Sequence, residues 1–275
     1  MPRRETPPMG LIPLMAILVA GLLLGAGAGP IAALDTLQVE ASDPLLDPWN
    51  WRTYDTYDTG GWIRGMYEDQ EGAIWFGTND GASRYDGLDW VRYTTADGLI
   101  DQSVNSLLQT RDGAMWFGTK RGVSRLENGQ WTSWAPGDGL AGSQAIDMLE
   151  ARDGSIWAVF HAFGDTTVPG SGISRFDGDN WHPIELPPTA ADQPWDVGHI
   201  VESTDGALWV SAWGRGVLRY DGSAWRLFTT ADGLSGLNAW DLEATEDGAV
   251  WVSYSGPGGG QGLNRFDGTS WTTYA

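Results

Sequence analysis

The sequence predicts an all-β fold assembled from one repeated unit of four short strands, and three observations carry that reading. First, the phrase Asp112-Gly113-Ala114-Met115-Trp116-Phe117-Gly118-Thr119 recurs along the chain. It reads Glu71-Gly72-Ala73-Ile74-Trp75-Phe76-Gly77-Thr78 before, and Asp153-Gly154-Ser155-Ile156-Trp157, Asp205-Gly206-Ala207-Leu208-Trp209 and Asp247-Gly248-Ala249-Val250-Trp251 after. Its tryptophans are 41, 41, 52 and 42 residues apart, a spacing that marks a repeat architecture. Second, each copy is followed by a companion phrase ending on a second tryptophan: Arg84-Tyr85-Asp86-Gly87 then Trp90, Arg125 to Gly129 then Trp131, Arg175 to Gly178 then Trp181, Arg219 to Gly222 then Trp225, Arg265 to Gly268 then Trp271. Third, the apolar residues of these units show no helical spacing over ten or more positions, while Asp-Gly and Asn-Gly pairs sit between short apolar runs. Such pairs are the strongest short-range hairpin signal, because Gly supplies the positive φ of a tight turn.

The second unit shows how the strands are laid out. Val104–Leu108 and Met115–Thr119 are joined by the turn at Arg111-Asp112-Gly113. Gly122–Leu126 follows, then a turn at Asn128-Gly129, then Trp131–Trp134. Four antiparallel strands in ~40 residues are the pattern of a β-propeller blade. The blades fall at about 61–93, 103–134, 144–186, 195–228 and 238–274 within a repeat region covering 51–275. Trp51-Arg52-Thr53-Tyr54 resembles Trp90–Tyr93 and Trp271–Tyr274, the last strand of a unit. Five full repeats plus an orphan N-terminal outer strand are expected to form an incomplete propeller, an open arc or a strained ring.

Residues 1–33 carry Arg3 and Arg4, then an apolar run densest at Leu11–Leu24, then Gly25–Ala33, rich in small residues. That order reads as a secretory signal peptide, with an uncleaved N-terminal anchor as the alternative. Residues 34–50, with Pro44 and Pro48 and no periodicity, read as a linker. The expected location is exported: periplasmic or extracellular, membrane-anchored if the N-terminal segment stays.

Composition bounds the chemistry. The chain has 275 residues, 17 Trp, 39 Gly and no Cys, so disulfides, thiolate metal sites and cysteine nucleophiles are excluded. The net charge of −20 repels phosphate backbones and argues against nucleic acid as a partner. Tryptophans at a fixed register read as filling between packed sheets. The arginine that each companion phrase carries reads as structural, a cation over a ring or a partner for a turn carboxylate.

Trp75-Phe76-Gly77-Thr78, with Gly81 and Arg84-Tyr85-Asp86-Gly87 after it, closely resembles the two-component regulator propeller repeat. So does Thr-Thr-Ala-Asp-Gly-Leu at Thr94–Leu99 and Thr229–Leu234. The resemblance runs over about residues 51–275. It implies the exported sensing part of a hybrid histidine kinase or related regulator. A weaker resemblance, through Asp-Gly-x-x-Trp-Phe, is to streptogramin-lyase-like propellers. It implies chemistry at a channel mouth but maps no catalytic residue onto this chain.

No Gly-x-Ser-x-Gly elbow, phosphate loop or His-x-x-x-His is present, and His161, His182 and His199 lie in separate segments. No catalytic residue, metal or cofactor is assigned. The Asp-Gly turns stay short in every unit and lie at one end of the blades. Length varies at the other end, through His161–Gly172, Pro183–Pro194 and Tyr254–Gly262. Insertions gathered on one face of a repeat fold mark its binding face. That face also collects residues that break the repeat, Lys120, Arg121, His161, Trp195, Trp213, Arg215, Trp240 and Tyr254, which are the candidate ligand-binding set. A small molecule, glycan or protein ligand suits an aromatic rim with a few polar groups. The expectation is a ligand- or partner-binding sensor propeller. A propeller lyase or hydrolase and a purely structural interaction module remain open.

Overall fold

The computed structural model describes residues 59–161, 171–188, 195–256 and 262–274, all within one compact unit, Thr53–Ala275. The signal segment, the linker, the strand at Trp51–Tyr54 and the centres of the three long insertions lie outside the described residues. Among the described residues no helix is long and apolar enough to cross a membrane.

Among the described residues, twenty strands form five four-stranded sheets, each strand pairing with its sequence neighbour. Blade 1 holds β1 (Ile63–Glu68), β2 (Ile74–Thr78), β3 (Gly81–Tyr85) and β4 (Trp90–Tyr93). Blade 2 holds β5 (Val104–Gln109), β6 (Met115–Thr119), β7 (Gly122–Glu127) and β8 (Gln130–Trp134). Blade 3 holds β9 (Ala145–Glu150), β10 (Ile156–Phe160), β11 (Gly172–Phe176) and β12 (Trp181–Ile184). Blade 4 holds β13 (Val197–Glu202), β14 (Leu208–Ala212), β15 (Gly216–Tyr220) and β16 (Trp225–Phe228). Blade 5 holds β17 (Ala239–Ala244), β18 (Val250–Tyr254), β19 (Leu263–Phe266) and β20 (Trp271–Tyr274). All pairings are antiparallel.

The turns hold because their side chains close them. Asp112 Oδ1 accepts from Ala114 N, Asp205 Oδ1 from Ala207 N and Asp247 Oδ1 from Ala249 N, all at 3.1–3.2 Å. Each turn aspartate is also bonded by the arginine of its own blade: Arg125, Arg219 and Arg265 reach Asp112, Asp205 and Asp247. The same guanidiniums lie over the repeated tryptophans, Arg125 on Trp116, Arg219 on Trp209 and Arg265 on Trp251. The once-per-blade arginine therefore has both structural roles expected of it, joining turn to core.

The core lies between blades. Trp116, Val123 and Trp134 of blade 2 pack on Ala145, Met148, Ala158 and Phe160 of blade 3. Trp157 and Val159 meet Val197, Ile200 and Val210, and Trp209 and Val217 meet Ala239, Leu242 and Val252. Leu99, Leu140 and Leu234, from the links between blades, are buried in these layers.

First strands lie against first strands: β1 on β5, β5 on β9, β9 on β13 and β13 on β17. Among the described residues no comparable contact joins β17 to β1, so their run of blades is open there. The opening leaves side chains exposed that are buried elsewhere. Ile63 is 46% exposed, whereas Val104, Ala145, Val197 and Ala239, at the same register, are at most 2% exposed.

Candidate site at the variable-loop end

One backbone irregularity recurs in all five blades and positions this site. The pairing register of each first strand shifts at the same place: between Ile63 and Gly65, Val104 and Ser106, Ala145 and Asp147, Val197 and Ile200, and Ala239 and Leu242. In a regular strand, residues three apart face opposite sides. A bulge adds one residue and restores them to one face. Hence Ala145 and Met148 share one core layer, Val197 and Ile200 the next, Ala239 and Leu242 the last. The residue just before the second core position is released from that layer.

In blades 3, 4 and 5 the released residues are Asp147, His199 and Asp241, and they meet. His199 Nδ1 stands 3.4 Å from Asp147 Oδ2 and 3.6 Å from Asp241 Oδ1. Backbone bonds fix the carboxylates: Asp147 Oδ2 accepts from Ile200 N and Oδ1 from Met148 N, and Asp241 Oδ1 accepts from Leu242 N, each at 2.9 Å. Ser211 Oγ accepts from His199 N at 2.8 Å and donates to Trp240 O at 3.4 Å. Burial alone would push the imidazole pKa down. The hydrogen bond and charge of Asp147, with the charge of Asp241, outweigh it and hold the pKa above its ordinary value. An imidazole between two carboxylates can carry a proton or pass one on.

Above this cluster lie the loops. The residue after each second strand donates its N–H to the carbonyl just ahead of the first strand: Asn79 to Trp62, Lys120 to Ser103, His161 to Gln144, Trp213 to Asp196, Ser255 to Asn238. That bond places the Trp213 backbone next to the start of β13. Its ring meets Trp240 edge to face, centroids 5.6 Å apart at 77°. Trp240 remains 53% exposed. His161 Nδ1 is paired with the carboxylate of Asp196.

The candidate residues divide accordingly. Trp213, Trp240 and His161 come together at blades 3–5. Trp195 is buried between blades 3 and 4, with its indole N–H donating to Pro187 O at 2.9 Å. It is a support beneath the rim, and Arg215 lies over it at 5.1 Å. Tyr254 is half-buried against the blade 4–5 core, and burial pushes its hydroxyl up to about 12. Lys120 and Arg121 stay in the loop of blade 2, where Arg121 Nε is 4.0 Å from Asp101. Among the described residues no hydrogen bond or ion pair joins them to the Trp213 group. Asp147, His199, Asp196 and Asp241 were not in the candidate set. The signal for the cluster was available: aligned, the first strands read Ile63-Arg64-Gly65-Met66, Val104-Asn105-Ser106-Leu107, Ala145-Ile146-Asp147-Met148, Val197-Gly198-His199-Ile200 and Ala239-Trp240-Asp241-Leu242. Their outer positions stay apolar, while the third position never settles.

Stacked four-stranded blades with gathered inner strands define the class: this is a β-propeller-type protein. Residues 58–80 and 98–121 match the family model of the two component regulator propeller, so the chain carries repeats of that kind. Among solved structures it is similar to a chain from B. thetaiotaomicron described as the extracellular domain of a hybrid two component system, at 16% identity and TM-score 0.60. That match covers 76% of this chain and 28% of the other, so the chain spans under a third of that neighbour. It is also similar to a streptogramin B lyase, at 18% identity and TM-score 0.59, covering 79% of this chain and 69% of that one. An inactive virginiamycin B lyase from Staphylococcus aureus with quinupristin matches at 14% identity and TM-score 0.61, over 80% and 72% of the two chains. No curated protein sequence matches the chain. At these identities the structural neighbours speak for the fold, and function has to be argued from the site.

Proposed function

We propose that this protein is an exported sensing propeller that binds a ligand at the variable-loop end of blades 3–5. The observation that carries the reading is the edge-to-face pair of part-buried Trp213 and exposed Trp240, with Asp241 of the Asp147–His199–Asp241 cluster following Trp240 in its strand. A tryptophan left half open beside fixed polar groups suits a ligand surface better than a core. The repeats matched by the two component regulator propeller and the extracellular neighbour support a signalling context, with the ligand a small molecule, glycan or protein segment. The test is a calorimetric screen of the purified protein against oligosaccharides and peptides, repeated with Trp213→Ala and Trp240→Ala. A ligand of the intact protein should lose about tenfold in affinity in each variant, as one shielded aromatic is worth ~1–2 kcal/mol. Unchanged affinity in both variants would refute the site.

A second reading is favoured by His199. Its position between two carboxylates suits proton transfer, which a lyase or hydrolase would need. Incubation with quinupristin, followed by mass analysis of the product, separates the two. Conversion that is lost in His199→Ala would establish the enzyme. Unaltered quinupristin leaves the sensor reading.

A further inference from the structure

The corner formed by Trp213 and Trp240 has a definite electrical character. Two indoles meet there at 77°, Trp240 exposed and Trp213 part-buried beside Gly256, and indole has the strongest attraction for cations among the aromatic side chains. Both tryptophans have an acidic residue as backbone neighbour, by sequence or by hydrogen bond. Asp241 follows Trp240 directly and its side chain is 60% exposed. Asp196, whose carbonyl holds Trp213 N, has a side chain 41% exposed. Asp147 approaches the same His199 Nδ1 as Asp241 does. Arg215, a permanent cation on these loops, lies over the Trp195 ring. Three carboxylates face only two imidazoles, His161 and His199, so negative charge is in excess there. The net charge of −20 extends the same field outward.

We propose that this aromatic corner selects an organic cation, an alkylated or quaternary ammonium group. Its carbons would lie on the Trp213 and Trp240 faces, with Asp241 and Asp196 supplying the counter-charge. The inference rests on the reading of this end as a binding face and adds the class of ligand. Aromatic walls suit such a group because its charge is spread over weakly hydrated carbons, which costs little to bring out of water. A metal ion would instead need several oxygen ligands converging on it, and a lysine ammonium is a compact, strongly hydrated charge that costs more to bring out of water.

The experiment is calorimetry of the full-length protein with choline, and with the uncharged analogue in which carbon replaces its nitrogen. Tryptophan fluorescence gives a second readout. Choline should bind saturably, more weakly at high salt, and at least about tenfold more tightly than the uncharged analogue. Trp240→Ala and Asp241→Asn should each weaken choline about tenfold with an unchanged melting temperature. Failure of choline to saturate, or equal binding of the analogue, would overturn the proposal. The two layers of inference fail separately. An oligosaccharide or peptide whose affinity falls in Trp240→Ala, alongside no choline binding, removes the cation and keeps the face. Choline binding that ignores Trp240→Ala removes this face as the binding site.

Discussion

Arg219 lies over the ring of Trp209, its guanidinium carbon 5.6 Å from the ring centre, while its Nη2 bonds Asp205 at 2.8 Å. Replacing Arg219 by Ala should therefore cost more than an ordinary surface ion pair, because it strips a cover from a buried indole as well. The pair is partly exposed, so the expected loss is only about 1 kcal/mol, read from urea unfolding. Arg219→Lys should recover little of it, since an ammonium cannot match the planar stacking.

Core and site tryptophans should separate cleanly. Trp116 is buried and stacked on Trp134, with centroids 5.4 Å apart. Its replacement by Ala should destabilise by ~3–5 kcal/mol. Trp240→Ala should leave the melting temperature nearly unchanged. A matching drop in both would make Trp240 a core residue.

Gly216 starts β15 with φ +112°, and a Cβ there would lie 2.1 Å from the Phe228 carbonyl oxygen. Gly216→Ala must move the β15–β16 pairing itself, and is expected to destabilise by more than ~2 kcal/mol. Gly222, also at positive φ but with open space around it, should lose less on the same change.

Two pH dependences are expected, of opposite sign. The His199 pKa is raised above 6.5 in the folded state by Asp147 and Asp241, against burial. Its stabilisation is present in full below the unfolded value and is lost as pH rises through the folded one. Melting temperature should fall across that upper window in the native protein and stay flatter in His199→Gln. The turn aspartates act the other way. Backbone N–H of Ala224 and the Ser223 groups hold Asp221 at about 2, and the Thr245 hydroxyl and Arg265 hold Asp247 at about 2. Their contribution is present above 3.8 and is lost as pH falls toward 2. Asp247→Asn should blunt the acid transition.

The blades were legible because one phrase was written five times, so weak local signals added up: Asp112-Gly113 alone is a turn, but its recurrence with Trp116 fixes a sheet. The face that carries variation was legible for the same reason. What the strand pattern hid was the bulge. Asp147, His199 and Asp241 look like ordinary polar members of alternating strands until the register is known. Trp195 misled in the opposite direction. It breaks the repeat as a ligand-binding aromatic would, yet it fills space beneath the longest link between blades, a packing demand unique to that link.

The bulge also separates two kinds of selection. On the first strands of blades 3–5 the apolar neighbours answer to packing, while Asp147, His199 and Asp241 stand outside the buried layers between blades. Such an array works like a row of interchangeable sockets. New chemistry can be fitted at one socket by a single codon change, and the frame carrying it need not be redesigned.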